Sequence, residues 1–173
     1  MKMMLNDLFI GMINYYAGDA KRIQHFVKVH SFAAYIGRQE ELSGAQQAVL
    51  EAAALVHDIG IRPAEEKYGS CAGPLQEKEG PPLADKLLTQ AGYSREAIDR
   101  VCYLVSRHHT YTGVDGPDYR ILLEADFLVN CFEEKMSREA AMSALRKVFR
   151  TETGKTLMKT MFDLPDEGET MPV

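Results

Sequence analysis

The chain has 173 residues, 46% apolar and 26% charged, the proportions of a globular protein, which exclude wholesale disorder and fibrous repeats. Its 20 basic and 25 acidic residues leave a net charge of −5. That sign excludes a broad nucleic-acid footprint, although a small anion needs only a local basic group.

The N-terminal run MKMMLNDLFIGMINYY is interrupted early by Asn6 and Asp7, and no small-residue cleavage site follows. A signal peptide is therefore a poor reading. No apolar run reaches 18 residues, so the chain is expected to stay off membranes and to be soluble and cytoplasmic. Three cysteines stand far apart, at Cys71, Cys102 and Cys131, with no CxxC pair. That spacing argues against a disulfide framework and a zinc ribbon.

Residues 3–16 carry Leu5, Leu8, Phe9, Met12 and Tyr16 at helical spacing. Leu5, Phe9, Ile10 and Ile13 could cover the core or a second copy, so a homo-oligomer stays open. Asp19 offers an N-cap for a helix to about Glu40, whose apolar face runs through Ile23, Phe26, Val29, Ala33 and Ile36. Ser43 with Gln46 has the capping-box form and opens a helix that Gly60 and Pro63 should stop. Residues 61–82 hold seven glycines and prolines between Pro63 and Pro82, and are expected to be mostly loop with one or two short turns. Helical spacing returns at Leu83, Leu87 and Leu88. Further helices are expected at about Ser94–His108, Asp118–Glu134, 137–150 and 154–162. No segment alternates with period two, so the expected fold is all-α: one domain over 1–164, about seven or eight helices on one core, and a flexible tail at 165–173.

Four places on these helices carry polar residues that the apolar pattern does not explain. His57-Asp58 ends the apolar stretch AAALVHDIG with an imidazole and a carboxylate side by side. Burying a charge is costly unless it is paired or bound to metal, though a cap with a surface neighbour is the plain alternative. Asp126, in ILLEADFLVN, shares an apolar face with Leu122 and Val129, whereas Glu124 points elsewhere and is expected to be solvated. A salt bridge or a cap would satisfy Asp126 as well as a cation would. His25 shares a stripe with Val29, Phe32 and Ile36, where a histidine is often merely hydrogen-bonded. His30 is rotated away and reads as structural or exposed. His108-His109 end a helix, where they are ligands, substrate contacts or residues that suit the dipole. One metal site accounts for all four places at once. Imidazole with carboxylate suits iron, manganese, zinc, nickel or cobalt, and needs no thiolate.

The order His25, His57-Asp58, Asp126 resembles the HD-domain superfamily of metal-dependent phosphohydrolases. The contexts RIQH, AAALVHDIG and EADFLVN carry the resemblance over about residues 19–132. It implies a helical bundle in which His25, His57, Asp58 and Asp126 hold a metal ion. Some members bind a second ion, and His109 in HHTYTG looks like one of its ligands, as in the symmetrical dinucleoside-tetraphosphate hydrolases, with His108 its alternative. A further histidine often precedes a Gly-Ala pair in such members. The corresponding stretch here, LQEKEGPPLADKLL, offers only Gln76, Glu77 and Glu79. Glu79 would replace that histidine as an oxygen ligand, or Gln76 would, or the site would hold one ion. The loops YGSCAGPLQEKEGPP and HHTYTGVDGPDY resemble a narrower bacterial subgroup.

The resemblance implies hydrolysis of a phosphoester or phosphoanhydride in a small phosphorylated molecule, expected to be a nucleotide, by metal-activated water. Asp58 would orient or deprotonate the water besides binding metal. Lys28, one turn after His25, is the first candidate to stabilise the phosphoryl transition state. Arg62 and Arg107 are others, Arg62 and His108 being candidate substrate contacts, against the plain reading of solvated cations. Tyr111 and Tyr119 would stack on a base or pack at the rim. A non-catalytic nucleotide or metal sensor on a degenerate site is the main alternative, and a di-iron oxygenase a weaker one. No basic recognition helix is visible for DNA.

Overall fold

A computed structural model describes residues 2–165, with side chains from Met4 onward. It carries α1 (Lys2–Tyr15), α2 (Ala20–Gln39), α3 (Gly44–Val56), α4 (Ile61–Tyr68), α5 (Gly73–Gln90), α6 (Arg95–Val105), α7 (Pro117–Glu133), α8 (Arg138–Lys147) and α9 (Glu152–Phe162). There is no strand among the described residues, and the all-α expectation holds. Apart from Pro165, the expected tail lies outside the described residues.

Helix starts follow the capping chemistry of the sequence. The Asp19 carboxylate accepts from the Arg22 amide at 3.1 Å, and Ser43 and Gln46 form the reciprocal capping box. Ser94, Ser137 and Thr151 cap α6, α8 and α9 in the same way. α2 lies against α3 and α7, and α3 also meets α1 and α6. Phe26, Val29, Ala33 and Ile36 of α2 meet Leu50, Ala53 and Ala54 of α3 and Leu122, Leu128 and Val129 of α7 in the buried core. α1 covers the core through Leu8 and Met12, joined by Tyr16 just after its end, and leaves Ile10 exposed.

Residues 61–82 are not mostly loop. They form α4 and the first half of α5, which takes the helix number to nine among the described residues. Pro63 does not end the preceding helix; it is the third residue of α4, where a missing N–H removes no intrahelical bond. Pro74 sits likewise in the first turn of α5. Pro81 and Pro82 are inside α5 and withdraw the donors that the carbonyls of Glu77 and Lys78 would receive. The glycines serve close packing. A Cβ on Gly60 would stand 2.3 Å from the Gln76 carbonyl oxygen, and one on Gly80 would stand 2.7 Å from Val105 Cγ1. α5 therefore passes over the turn after α3 and against α6 at a distance only glycine permits.

Glu124 is also not solvated. It is fully buried and accepts from the amides of Arg150 and Thr151 at 2.6 and 3.0 Å and from the Thr151 hydroxyl at 2.5 Å, tying α7 to the start of α9. Burial raises its pKa against these hydrogen bonds. The carboxyl thus binds its proton more tightly folded than unfolded, and its contribution to stability falls as pH rises between those two pKa values. Glu124→Ala leaves two part-buried amides without their acceptor and is expected to cost about 2–3 kcal/mol in urea unfolding. Glu124→Gln, which keeps an acceptor for both amides, should cost less and lose that pH dependence.

Candidate metal centre

Three helices and a turn converge on one point. α2 supplies His25 from its second turn. α3 ends at Val56, and the turn after it presents His57 and Asp58. α7 supplies Asp126 from its middle. His25 Nε2 lies 3.2 Å from His57 Nε2, 3.3 Å from Asp58 Oδ2 and 3.2 Å from Asp126 Oδ1. His57 Nε2 lies 3.4 Å from Asp58 Oδ2 and 3.5 Å from Asp126 Oδ1. Ligands about 2.1 Å from a divalent ion stand roughly 3.0–3.4 Å apart along the edges of an octahedron or tetrahedron. Four of the five separations fall in that range, and the fifth, His57 to Asp126 at 3.5 Å, lies just beyond it.

The hydrogen bonds behind the imidazoles orient them. His57 Nδ1 donates to the Ala54 carbonyl at 2.9 Å, and His108 Nδ1 donates to the Val105 carbonyl at 2.8 Å. A carbonyl only accepts, so in the neutral ring the proton sits on Nδ1 and the Nε2 lone pair faces inward. His25 Nδ1 faces Glu133 Oε2 at 2.9 Å, which imposes the same tautomer. The inward surface is therefore a set of lone pairs and carboxylate oxygens, the donor set of a cation site rather than of a self-satisfied polar core.

Burial lowers the pKa of His25 and His57, but hydrogen bonds and charge from Asp126 and Asp58 prevail; both are raised, His57 well above its usual value. Burial opposes ionisation of Asp58 and Asp126, yet both fall well below the usual carboxylate range, through His57 and His108 for Asp58 and through His25 and His57 for Asp126. The Asp58 side chain is 19% exposed, His57 not at all, so solvent reaches the cluster on the Asp58 side.

The turn carrying Asp58 is held from α1. Tyr16 Oη donates to the Asp58 carbonyl at 2.7 Å, and Tyr15 Oη donates to the Ile59 carbonyl at 3.1 Å. Arg62 donates to the Tyr15 carbonyl at 2.6 Å and stands over both tyrosine rings, 5.3 and 5.6 Å from their centroids. It is a brace for this turn rather than a group aimed at the cluster.

The other expected site residues divide. His108 is buried and its Nε2 lies 3.3 Å from Asp58 Oδ1. His109, with Asp58 and His108, forms a second group whose ligand atoms all lie within 4.8 Å of one another. Burial, then the charge of His108, pushes the His109 pKa down to about 4. Of the two residues weighed for the missing histidine, Gln76 is the one beside His109: its amide nitrogen donates to the Cys71 carbonyl at 2.6 Å, and its Oε1 faces His109 Nε2 at 3.3 Å. Glu79 is instead bound to Lys67 and accepts from the Tyr68 hydroxyl at 2.8 Å. Gln76 thus meets the His109 loop, whereas Glu79, one turn further along α5, meets the end of α4. Lys28 does not face the cluster either. Its Nζ pairs with Glu133 at 2.5 Å, on the far side of the His25 ring. Arg107 stacks over Tyr103, 5.4 Å from its centroid. Tyr119 packs in the core and donates to the carbonyls of Arg107 and Thr110, whereas Tyr111 sits at the rim against Phe127. His30 is structural, 3.2 Å from Glu51.

Two further residues that contact the cluster carry no signal as single positions in the sequence. Asn130 donates to Asp126 Oδ1 at 3.0 Å, and Glu133 holds His25. They follow Asp126 by four and seven residues, so helical periodicity was the available signal.

Comparison with known proteins places these features. The family model of the HD domain matches residues 22–146. No curated protein matches the chain. The crystal structure of a predicted HD superfamily hydrolase from an uncultured Thermotogales bacterium is similar, with a TM-score of 0.63 and 24% identity over 94% of this chain and 85% of that one. At that identity the likeness is one of fold.

Proposed function

The chain belongs to the HD-domain family, and from that premise we propose that it is a metal-dependent phosphohydrolase whose centre is His25, His57, Asp58 and Asp126. The observation that carries this reading is the inward-facing set of lone pairs, three imidazole Nε2 atoms with their Nδ1 atoms committed to acceptors, gathered round two acids. A divalent transition metal bound there (iron, manganese, zinc, nickel or cobalt) supplies Lewis acidity toward a phosphoryl oxygen and water acidified to near neutrality. The residues do the rest. Asp58, the partly exposed member, receives or orients the proton of the incoming water. The Nδ1 anchors keep His25 and His57 in one tautomer and one rotamer, so no reorganisation accompanies the reaction. His108 shares Asp58 from the other side, and with His109 it forms the place for a second ion, beside which Gln76 stands where a histidine was expected.

The substrate we propose is a small phosphorylated molecule, a nucleotide first, since Tyr111 is 43% exposed at the rim and offers a ring face to a base. Chelation followed by dialysis is expected to abolish release of phosphate or nucleoside monophosphate from a nucleotide panel, and added Mn²⁺ or Co²⁺ to restore it. Because the ion binds only the folded chain, loading at about 100 times its Kd should add about 2.7 kcal/mol, several degrees in Tm. Turnover unchanged by chelation would refute the proposal. Nucleotide-induced stabilisation without turnover across the panel would favour a sensor.

A further inference from the structure

We propose that Glu133 is the positioning carboxylate that makes His25 a metal ligand, and that Lys28 acts on the centre only by fixing Glu133; this rests on the reading of His25, His57, Asp58 and Asp126 as a metal centre. α7 presents Asp126, Asn130 and Glu133 at i, i+4 and i+7, one stripe of the helix. α2 presents His25 and Lys28 at i and i+3 against it. The two stripes interlock through three contacts. Asp126 Oδ1 lies 3.2 Å from His25 Nε2, Glu133 Oε2 lies 2.9 Å from His25 Nδ1, and Glu133 Oε1 takes the Lys28 ammonium at 2.5 Å.

His25 is thus gripped at both ring nitrogens by carboxylates of one helix, in different roles. Asp126 faces the centre beside the inward lone pair. Glu133 accepts the Nδ1 proton, which fixes the tautomer and raises the electron density that Nε2 can donate. His57 and His108 lean on neutral backbone carbonyls; His25 leans on a charged group, a stronger, charge-assisted bond. The Glu133 side chain is only 16% exposed, so water competes weakly for that bond. Lys28 is held in turn, its ammonium 5.5 Å from the centroid of the Phe132 ring. Its charge is spent on Glu133, and it is not a group that contacts substrate.

The test is the dissociation constant for Zn²⁺ and Mn²⁺, measured by competition with a chromogenic chelator on the full chain, for wild type, Glu133→Ala, Glu133→Gln and Lys28→Met. Glu133→Ala is expected to weaken binding about 10–100-fold. Glu133→Gln, which keeps an acceptor for Nδ1–H without the charge, should weaken it less. Lys28→Met loosens Glu133 without removing it from His25, so it should weaken binding less than Glu133→Ala does. In the zinc-loaded protein the His25 Nδ1–H resonance should be shifted downfield by its carboxylate partner and move back upfield in Glu133→Ala. Metal affinity within twofold of wild type in Glu133→Ala, with native helicity, would overturn the proposal, as would Lys28→Met weakening binding as much as Glu133→Ala. Failure of the wild type itself to bind either ion would refute the metal-centre reading instead.

Discussion

Asp58→Ala is expected to lose the bound ion and about 10³-fold or more of the phosphohydrolase activity while staying folded. Asp58 meets all three histidines described above as facing the centre: Oδ2 lies 3.3 and 3.4 Å from His25 and His57, and Oδ1 lies 3.3 Å from His108. Its removal opens the ligand shell and takes away the group that handles the water proton. The fold should survive, because the turn is held through the Asp58 backbone carbonyl by Tyr16 and not through its carboxylate. His57 and His108 keep their carbonyl partners. Phosphate release, circular dichroism and metal content on the same preparation separate the two effects. A folded variant retaining both metal and more than a tenth of the activity would contradict the assignment.

Gly60→Ala is expected to be strongly destabilising. The new Cβ would stand 2.3 Å from the Gln76 carbonyl oxygen and 2.8 Å from the Gly80 amide nitrogen, both backbone atoms of α5 that no rotamer change can move. α5 must shift as a body, away from the turn carrying His57 and Asp58, at an expected cost of about 3 kcal/mol. The same shift draws Gln76 from His109, so metal affinity should fall too. Gly44→Ala is the control: Gly44 is the first residue of α3, and a Cβ there meets nothing within 4 Å. It should be neutral or slightly stabilising. Urea midpoints of the two variants check the contrast; equal midpoints would contradict the close-packing role of Gly60.

The His/Asp cluster was legible because each of its residues breaks an apolar stripe. His25, Asp126 and the His57-Asp58 pair stand where periodicity calls for Leu or Val, and the structure brings all four together. Capping residues were equally legible, since Asp19 and the Ser43–Gln46 box act within one turn of themselves. The helical nature of residues 61–82 was not. Glycine and proline mark loops when only local preference is weighed, but here Pro63 and Pro74 lie in first turns and Gly60 and Gly80 permit close packing, which only the fold reveals. Lys28 was misread for a related reason: nearness to His25 along the helix is not nearness to the centre, and the partner that claims its charge, Glu133, is 105 residues away. Glu124 looked solvated because its partners, Arg150 and Thr151, come from a distant turn.

The central claim is that these side chains hold a divalent ion. Elemental analysis of protein purified without a metal-affinity tag, wild type beside Asp126→Ala, tests it most directly. Asp126 reaches the cluster with one carboxylate oxygen that both His25 and His57 approach, so its loss should empty the site. The account predicts at least one equivalent of transition metal per wild-type chain and less than a tenth of that in the variant. Wild-type protein that takes up no metal after reconstitution with iron, manganese, zinc, nickel or cobalt would contradict it and leave His57 and Asp58 a structural ion pair.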